Sequence, residues 1–137
     1  MPSSYKVVFS ILSVMVKMMD LDPNVNIKTQ LEEGNTNPVI LLNKFIVRPE
    51  DIEIFLKVFE NTTKIMKQQP GFISAQLHQG IAGSHTFFNY GVWESAAHFK
   101  RAFNSPEFQK AMSELPQDTV MSPHLFRKVA ISNICVD

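Results

Sequence analysis

The sequence predicts a small α+β domain in residues 38–132, with the element order β-α-β-β-α-β and a four-stranded antiparallel sheet. Three observations predict it. Apolar residues form strand-like runs, apolar residues recur at helical spacing between those runs, and Pro, Gly and Ser mark the junctions. This order is the ferredoxin-like split arrangement. Residues 1–37 are predicted to be an N-terminal extension, and residues 133–137 a short tail.

The first strand is predicted at residues 39–47 (VILLNKFIV), which are apolar on both faces apart from Asn43 and Lys44. A strand that is buried on both sides has this pattern. A helix then begins at Pro49, a residue favoured in the first helical turn, and ends before Pro70 and Gly71. Its apolar stripe, which is expected to pack on the sheet, consists of Ile52, Phe55, Leu56, Phe59, Ile65 and Met66.

A hairpin is predicted next, from residues 72–79 (FISAQLHQ) and 85–93 (HTFFNYGVW), with its turn at residues 80–83. Ser95 and Ser105 are suitable N-caps for two short helices, the second with Pro106 at its first position. Residues 116–123 are predicted to form a loop, and residues 125–131 (LFRKVAI) to form the last strand.

The helices of this arrangement cover one face of the sheet and leave the other face uncovered. An uncovered apolar face is typical of an association site, and a twofold partner is the commonest solution. We therefore expect a homodimer through the sheet face, which would make a dimeric α/β barrel.

The N-terminal extension contains an apolar segment, residues 7–16 (VVFSILSVMV), between Lys6 and Lys17. It is too short for a transmembrane helix, which needs about 20 apolar residues. Its length suits the core of a signal peptide, but no A-x-A cleavage pattern follows it. We expect an ordered helix or strand that docks on the domain or its partner; a signal-like segment and a membrane-surface anchor are the alternatives. Residues 20–38 indicate a polar linker with a short strand at residues 27–31.

Composition excludes some classes of function. Thirteen basic and thirteen acidic residues give a net charge of zero, unlike the basic footprint of a nucleic-acid-binding protein. The single cysteine, Cys135, cannot form an internal disulfide, which fits a reducing compartment, and we expect a cytoplasmic protein. No His/Cys/carboxylate set has metal-ligand spacing, and no phosphate-cradling glycine loop or G-x-S-x-G is present. We expect no metal and no cofactor.

Four sequence pieces, PVILLNKFIV, QQPGFISAQLHQ, FFNYGVWES and SPEF, resemble the antibiotic biosynthesis monooxygenase family over about residues 38–130. The resemblance implies a dimeric α+β barrel and cofactor-independent oxygenation of an electron-rich aromatic, such as a hydroquinone or a phenol. A heme-degrading branch of the family uses an Asn in the first strand with a Trp and a His on later helices. Asn43 matches the first position, but the later ones fall near Ala102 and Met112, so heme degradation is disfavoured.

Asn43 and His78 are the candidate catalytic residues. Asn43 is an amide in an apolar strand, on the same side as Leu41 and Phe45. Its amide either donates to a bound substrate oxygen or is satisfied by neighbouring backbone. His78 ends the first hairpin strand and is the best available general base; its alternative is a surface or interface histidine.

Asn89, Trp93 and Phe88 are the candidate substrate-binding residues. Asn89 and Trp93 share a side of the second hairpin strand with Gly91 between them. This set offers orientation, a flat wall and space for a planar ligand, and Phe88 would extend the apolar wall. The alternatives are a core role for Trp93 and a structural hydrogen bond for Asn89. At the level of function, the alternatives to an oxygenase are a non-catalytic binding protein and a dimeric interaction module whose pocket is filled by Phe side chains.

Overall fold

Six strands form a single sheet in the order β1-β2-β6-β3-β5-β4. The computed structural model describes residues 6–9, 15–34 and 36–136. The strands are β1 (Lys6–Phe9), β2 (Met15–Met18), β3 (Val39–Ile46), β4 (Phe72–Gln79), β5 (Thr86–Trp93) and β6 (Val120–Phe126). The helices are α1 (Ile27–Glu32), α2 (Ile52–Lys67, preceded by a 3-10 turn at Pro49–Asp51), α3 (Ala96–Phe103) and α4 (Pro106–Met112).

The predicted α+β fold is confirmed in strands β3 to β6 with helices α2 to α4. Strand β3 is central and pairs antiparallel with both β5 and β6, while β4 pairs antiparallel with β5. This is the ferredoxin-like arrangement, and β1 and β2 extend its four strands to six. Helices α2, α3 and α4 pack on one face of the sheet, where Phe45 and Phe87 meet Phe55 of α2 and Met112 of α4.

Local sequence signals explain where the helices begin. The Ser95 hydroxyl accepts a hydrogen bond from the His98 backbone N–H at 3.1 Å, and the Ser105 hydroxyl accepts from the Phe108 N–H at 3.3 Å. Each bond satisfies one of the backbone donors that a helix leaves free in its first turn. The predicted N-caps of the two short helices are therefore confirmed.

The apolar N-terminal segment is ordered where the structure describes it. Strands β1 and β2 pair antiparallel with each other, and β2 pairs parallel with β6. The expectation of an ordered segment that docks on the domain is confirmed for these two strands. Residues 10–14 of the same segment lie outside the described residues.

Two element predictions are wrong. Residues 27–31 were expected to form a strand, but Ile27–Glu32 is helix α1 because the Asn26 side chain accepts from the Thr29 N–H at 2.8 Å and caps it. The last strand is Val120–Phe126 instead of residues 125–131, so the expected loop at 116–123 ends before Val120. Pro123 is tolerated in this strand because β2 pairs with β6 only as far as Met121, and the edge beyond is open to other partners.

Candidate functional site

A cavity lies between the helix-covered face of the sheet and helices α2, α3 and α4. We call this the inner face; it carries Leu41, Asn43 and Phe45 of β3 and Asn89, Gly91 and Trp93 of β5. The cavity measures about 60 Å³, which is enough for a few water molecules. A drug-sized ligand needs about 300 Å³ or more. The helices contribute mainly aromatic and thioether side chains to the wall: Phe55, Phe59, Met66, Phe99, Phe103, Phe108 and Met112.

Asn43 lies in the cavity wall with an incompletely satisfied amide. Its Nδ2 is 4.0 Å from the Met121 sulfur, a weak acceptor. Its Oδ1 is buried and has no hydrogen-bond partner among the described residues. Whichever way the amide is turned, one of its ends faces apolar surroundings. A buried polar group in this state costs about 1–3 kcal/mol, so a ligand or water that completes its bonds would be stabilised there.

Asn89 lies directly opposite Asn43 across the β3–β5 pair. Its Oδ1 accepts a hydrogen bond from the Gln76 backbone N–H at 3.2 Å, which fixes the orientation of the amide. Its Nδ2 then lies over Gly91, where an added Cβ would approach it to 3.4 Å. Directly opposed residues of an antiparallel pair lie on the same face with Cβ atoms about 4.5–5.5 Å apart. The two amides therefore present an acceptor and a donor side by side in an apolar cavity.

Trp93 forms one end of the cavity and is also part of the core. Only 2% of its surface is exposed. Its ring makes edge contacts with Phe72 at 5.4 Å and with Phe99 at 5.6 Å between centroids. Trp93 therefore lines the cavity and is also packed in the core, which are the two positions that the sequence left open for it.

His78 and Phe88 lie on the opposite side of the sheet, which we call the outer face. They are directly opposed in the β4–β5 pair, and their rings stack at 4.4 Å with 6° between planes. His78 Nδ1 is 3.1 Å from the Gln76 carbonyl oxygen. The structure thus brings three of the five predicted site residues together, Asn43, Asn89 and Trp93, and places the other two behind the sheet.

The sequence alone could have separated some of these five residues into inner-face and outer-face positions. Residues of a strand alternate between faces, so Phe88 is necessarily on the opposite face from Asn89. The position of His78 depended on the hairpin register, which the sequence left open. Residues contributed by α2, among them Thr62 and Thr63, were not predicted as cavity residues. The Thr62 hydroxyl donates to the Phe59 carbonyl oxygen at 3.1 Å.

No ionisable side chain of the described residues lines the cavity. The clear pKa shifts belong to the surface. Hydrogen bonds from Lys17 and Arg48 hold the pKa of Asp118 below its usual value, and Lys64 lowers that of Glu60. In the part of the chain described by the structure, no three His, Cys, Asp or Glu residues are grouped to hold a metal ion. The polar side chains of the cavity wall are the amides of Asn43 and Asn89 and the hydroxyls of Thr62 and Thr63, groups that can donate or accept hydrogen bonds.

Comparison with known proteins identifies the class. Residues 38–114 match the family model of antibiotic biosynthesis monooxygenases. The chain belongs to this family. No match was found among curated protein sequences.

Solved structures support the same relationship. SnoaB, a cofactor-independent oxygenase from Streptomyces nogalater, is 26% identical, with a TM-score of 0.64 over 71% of this chain and 98% of that one. A candidate monooxygenase from Shewanella loihica is 32% identical, with a TM-score of 0.57 over 69% and 97% of the two chains. Within the described ranges, no helix has the length and apolar character needed to cross a membrane.

Proposed function

We propose that the chain is a cofactor-independent monooxygenase that oxidises an electron-rich aromatic substrate, a hydroquinone or phenol, in the inner-face cavity. The observation that carries this proposal is the pair of opposed amides, Asn43 and Asn89, set in an apolar cavity. SnoaB is described as a cofactor-independent oxygenase. A second SnoaB structure, 25% identical to this chain, is of a variant in which one asparagine is replaced by alanine.

The chemistry requires a substrate that is itself the electron donor. A hydroquinone and dioxygen give a hydroxyquinone and water: one oxygen atom enters the ring, and the other is reduced by electrons from the same substrate. No external reductant is needed. Ground-state dioxygen reacts slowly with closed-shell molecules, so the protein's task is to raise the electron density of the ring by favouring its deprotonated form.

The two asparagines have different roles in this proposal. The Asn89 Nδ2, held in place by the Gln76–Oδ1 bond, donates to the oxygen that becomes negatively charged. The Asn43 Oδ1 accepts from a second hydroxyl of the substrate. Trp93 provides a flat apolar wall at the end of the ring. Among the described residues no ionisable group lines the cavity, so in this proposal the substrate proton leaves to water and His78 has no general-base role.

Oxygen uptake tests the proposal. The purified protein, treated with a chelator, is incubated with a panel of benzo-, naphtho- and anthrahydroquinones. We expect uptake above the buffer rate for at least one substrate, its loss in Asn43→Ala, and its retention in His78→Ala. Uptake no faster than in buffer across the panel would contradict the proposal.

A second candidate is a non-catalytic binding protein that uses the same cavity. The absence of an ionisable side chain from the described cavity wall favours it, because proton transfer then has no protein partner. A ligand that raises the melting temperature but consumes no oxygen would support this alternative. Loss of that stabilisation in Asn43→Ala would place the ligand in the same cavity.

We also propose a cytoplasmic homodimer that forms through the outer face. The outer-face side chains of β3 and β5 are partly exposed and largely apolar, whereas β4 contributes Ser74, Gln76 and His78 to this face. Tyr90 of β5 is 39% exposed and Phe126 of β6 is 40% exposed. Phe88 lies on the same face of β5, two residues before Tyr90, and its ring stacks on that of His78. Phe88→Asp places a charge on this face, and we expect light scattering to show a monomer with unchanged secondary structure. A dimer that survives this substitution would contradict the outer-face interface.

A further inference from the structure

Helix α1 covers a flank of the domain without becoming part of its buried core. None of its residues is fully buried. Ile27 and Leu31 are half-buried and pack against a core cluster that includes Leu41, Trp93 and Phe99. Those three residues also line the cavity. The helix therefore packs on a cluster of side chains that also forms part of the cavity wall.

The Gln30 side chain joins α1 to the sheet by a pair of hydrogen bonds. Gln30 Nε2 donates to the Leu125 carbonyl oxygen at 2.9 Å, and the Leu125 backbone N–H donates to Gln30 Oε1 at 2.9 Å. Gln30 Nε2 is also 3.2 Å from His124 Nε2. The amide thus satisfies both backbone groups of Leu125, as a neighbouring strand would. Strand β2 pairs with β6 only at residues 120 and 121, so Gln30 occupies the part of the edge that β2 does not reach.

Open space and a glycine flank α1. A groove of about 260 Å³ lies beside the Gln30 contact and is lined by Glu33, Leu125, Phe126 and Arg127 among others. After the helix, Gly34 adopts a positive φ of 74° with nothing within 4 Å of an added Cβ. Six residues with two half-buried apolar side chains make a short, weakly anchored helix.

We infer that α1 is a gate of the cavity, that Gln30 is its latch, and that displacement of α1 controls which aromatic ligands enter. The inference rests on the proposed function for the class of ligand. The cavity of about 60 Å³ is too small for a two-ring aromatic, so binding requires a wall to move. No residue of α1 is among the residues that line the cavity; displacement of α1 would instead uncover the cluster that contains Leu41, Trp93 and Phe99 and leave these lining side chains room to shift. The family match begins at residue 38, so α1 lies outside the matched segment.

Thiol labelling of the full-length chain measures the opening without any ligand. In a Cys135→Ser background, Leu31→Cys places the only thiol under the gate, and its reaction with N-ethylmaleimide is followed by mass spectrometry. Gln30→Met keeps side-chain length and helix propensity but removes both bonds to Leu125. We expect labelling at position 31 to accelerate by about tenfold or more, the effect of losing about two net hydrogen bonds. Asn26→Ala, which removes the α1 cap, should accelerate it as well.

The matched control is Val58→Cys in the same background, a thiol in the core of α2. Gln30→Met should leave its labelling rate unchanged. Unchanged labelling at position 31 in both Gln30→Met and Asn26→Ala would overturn the latch. Equal acceleration at positions 31 and 58 would overturn the gate, because it would show opening of the whole domain instead of α1.

β-Naphthol, a two-ring phenol, tests the link between gate and cavity. We expect it to bind Gln30→Met more tightly than the parent chain and to accelerate labelling at position 31, because it holds α1 away from the cluster. Binding with no change in labelling would show that ligands enter elsewhere and would overturn the gate while leaving the site intact. No binding to either chain, together with no oxygen uptake, would count against the proposed function, and the ligand-free labelling would still test the latch.

Discussion

The two faces of the sheet are made from the same strands but carry different chemistry. The inner face places two amides, a glycine and a tryptophan in the wall of a largely apolar cavity. The outer face carries Phe88, Tyr90, Lys44 and His78, all partly exposed. Because successive residues point to opposite faces, Asn43 and Lys44 are neighbours in sequence but belong to different environments. Candidate site residues of a strand must therefore be assigned to one face or the other by their alternation before functional roles are given to them.

The largest expected difference between the faces is in stability. Trp93→Ala removes a ring that is 2% exposed and should lower the free energy of unfolding by about 3–5 kcal/mol. Phe88→Ala removes a half-exposed ring and should cost less than half of that at low protein concentration. Urea denaturation followed by circular dichroism measures both.

The same pair of variants also separates packing from association. In the parent chain the denaturation midpoint should rise with protein concentration if the outer face pairs two copies. Phe88→Ala should weaken that dependence, and Trp93→Ala should preserve it. Equal costs for the two variants at low concentration would contradict the division into an inner core and an outer interface.

The next largest effect should be on activity. Asn43→Leu and Lys44→Leu change adjacent residues of β3 that point to opposite faces. Asn43→Leu should reduce oxygen uptake by about 100-fold, the scale of losing one positioned polar group in an active site. Lys44→Leu should leave the uptake rate within about twofold, since its side chain does not enter the cavity.

The stability of Asn43→Leu should change in the opposite direction from its activity. The substitution removes a buried amide oxygen with no partner among the described residues, so the free energy of unfolding should stay equal or rise by about 1 kcal/mol. A residue that costs stability and supports function is typical of a binding site. A large loss of stability in Asn43→Leu would instead indicate a structural amide.

Local signals explain how much of the fold could be predicted. Ser95, Ser105 and Pro49 act within one helical turn, so the caps and starts they indicate are correct. Helix α1 was missed because Val25 and Ile27 favour strands, whereas the Asn26 side chain decides the conformation. The last strand was displaced because Pro123 normally interrupts a strand, and only the register of the β2–β6 pair shows that β2 does not extend past Met121.

The candidate site depended on contacts between distant parts of the chain. Strand alternation alone shows that Asn89 and Trp93 share one face of their strand, and that Asn43 shares a face with Leu41 and Phe45. That Asn43 faces Asn89, and His78 faces Phe88, follows from strand registers that the sequence does not encode locally. The cavity volume depends on how rings from three helices pack together, which no pattern in the sequence specifies.

Gly91→Ala should give a smaller and more specific effect on the inner face. The new Cβ would lie 3.4 Å from Asn89 Nδ2 and 3.5 Å from the Leu41 Cβ, which is close to ordinary contact distance. Stability should therefore change by less than about 1 kcal/mol. The added methyl occupies space above the Asn89 donor, so β-naphthol should bind about tenfold more weakly. The matched control on the outer face is Ser74→Ala. Ser74 precedes Ala75, the β4 residue that pairs with Gly91 on the inner face. This change should leave binding unchanged.

The smallest expected effect lies at the rim of the sheet, which belongs to neither face. Asp118 pairs with Lys17 of β2 at 2.8 Å and with Arg48 at 2.7 Å, and these partners lower its pKa. A carboxyl with a lowered pKa in the folded state stabilises the fold above its unfolded pKa of about 3.9. That contribution is lost as the pH falls through the lower folded-state value.

Acidification below about pH 4 should therefore loosen β2 from the domain in the parent chain. Asp118→Asn should show the looser state already at neutral pH, seen as faster amide hydrogen exchange in β2, and should respond less to acid. Glu60→Gln is the control, because Glu60 also has a lowered pKa but forms its ion pairs within α2, with Lys57 and Lys64. Asp118→Asn should leave oxygen uptake and self-association unchanged, because Asp118 lies at the edge of the sheet and on neither face. A change in either property would contradict the assignment of chemistry to the inner face and association to the outer face.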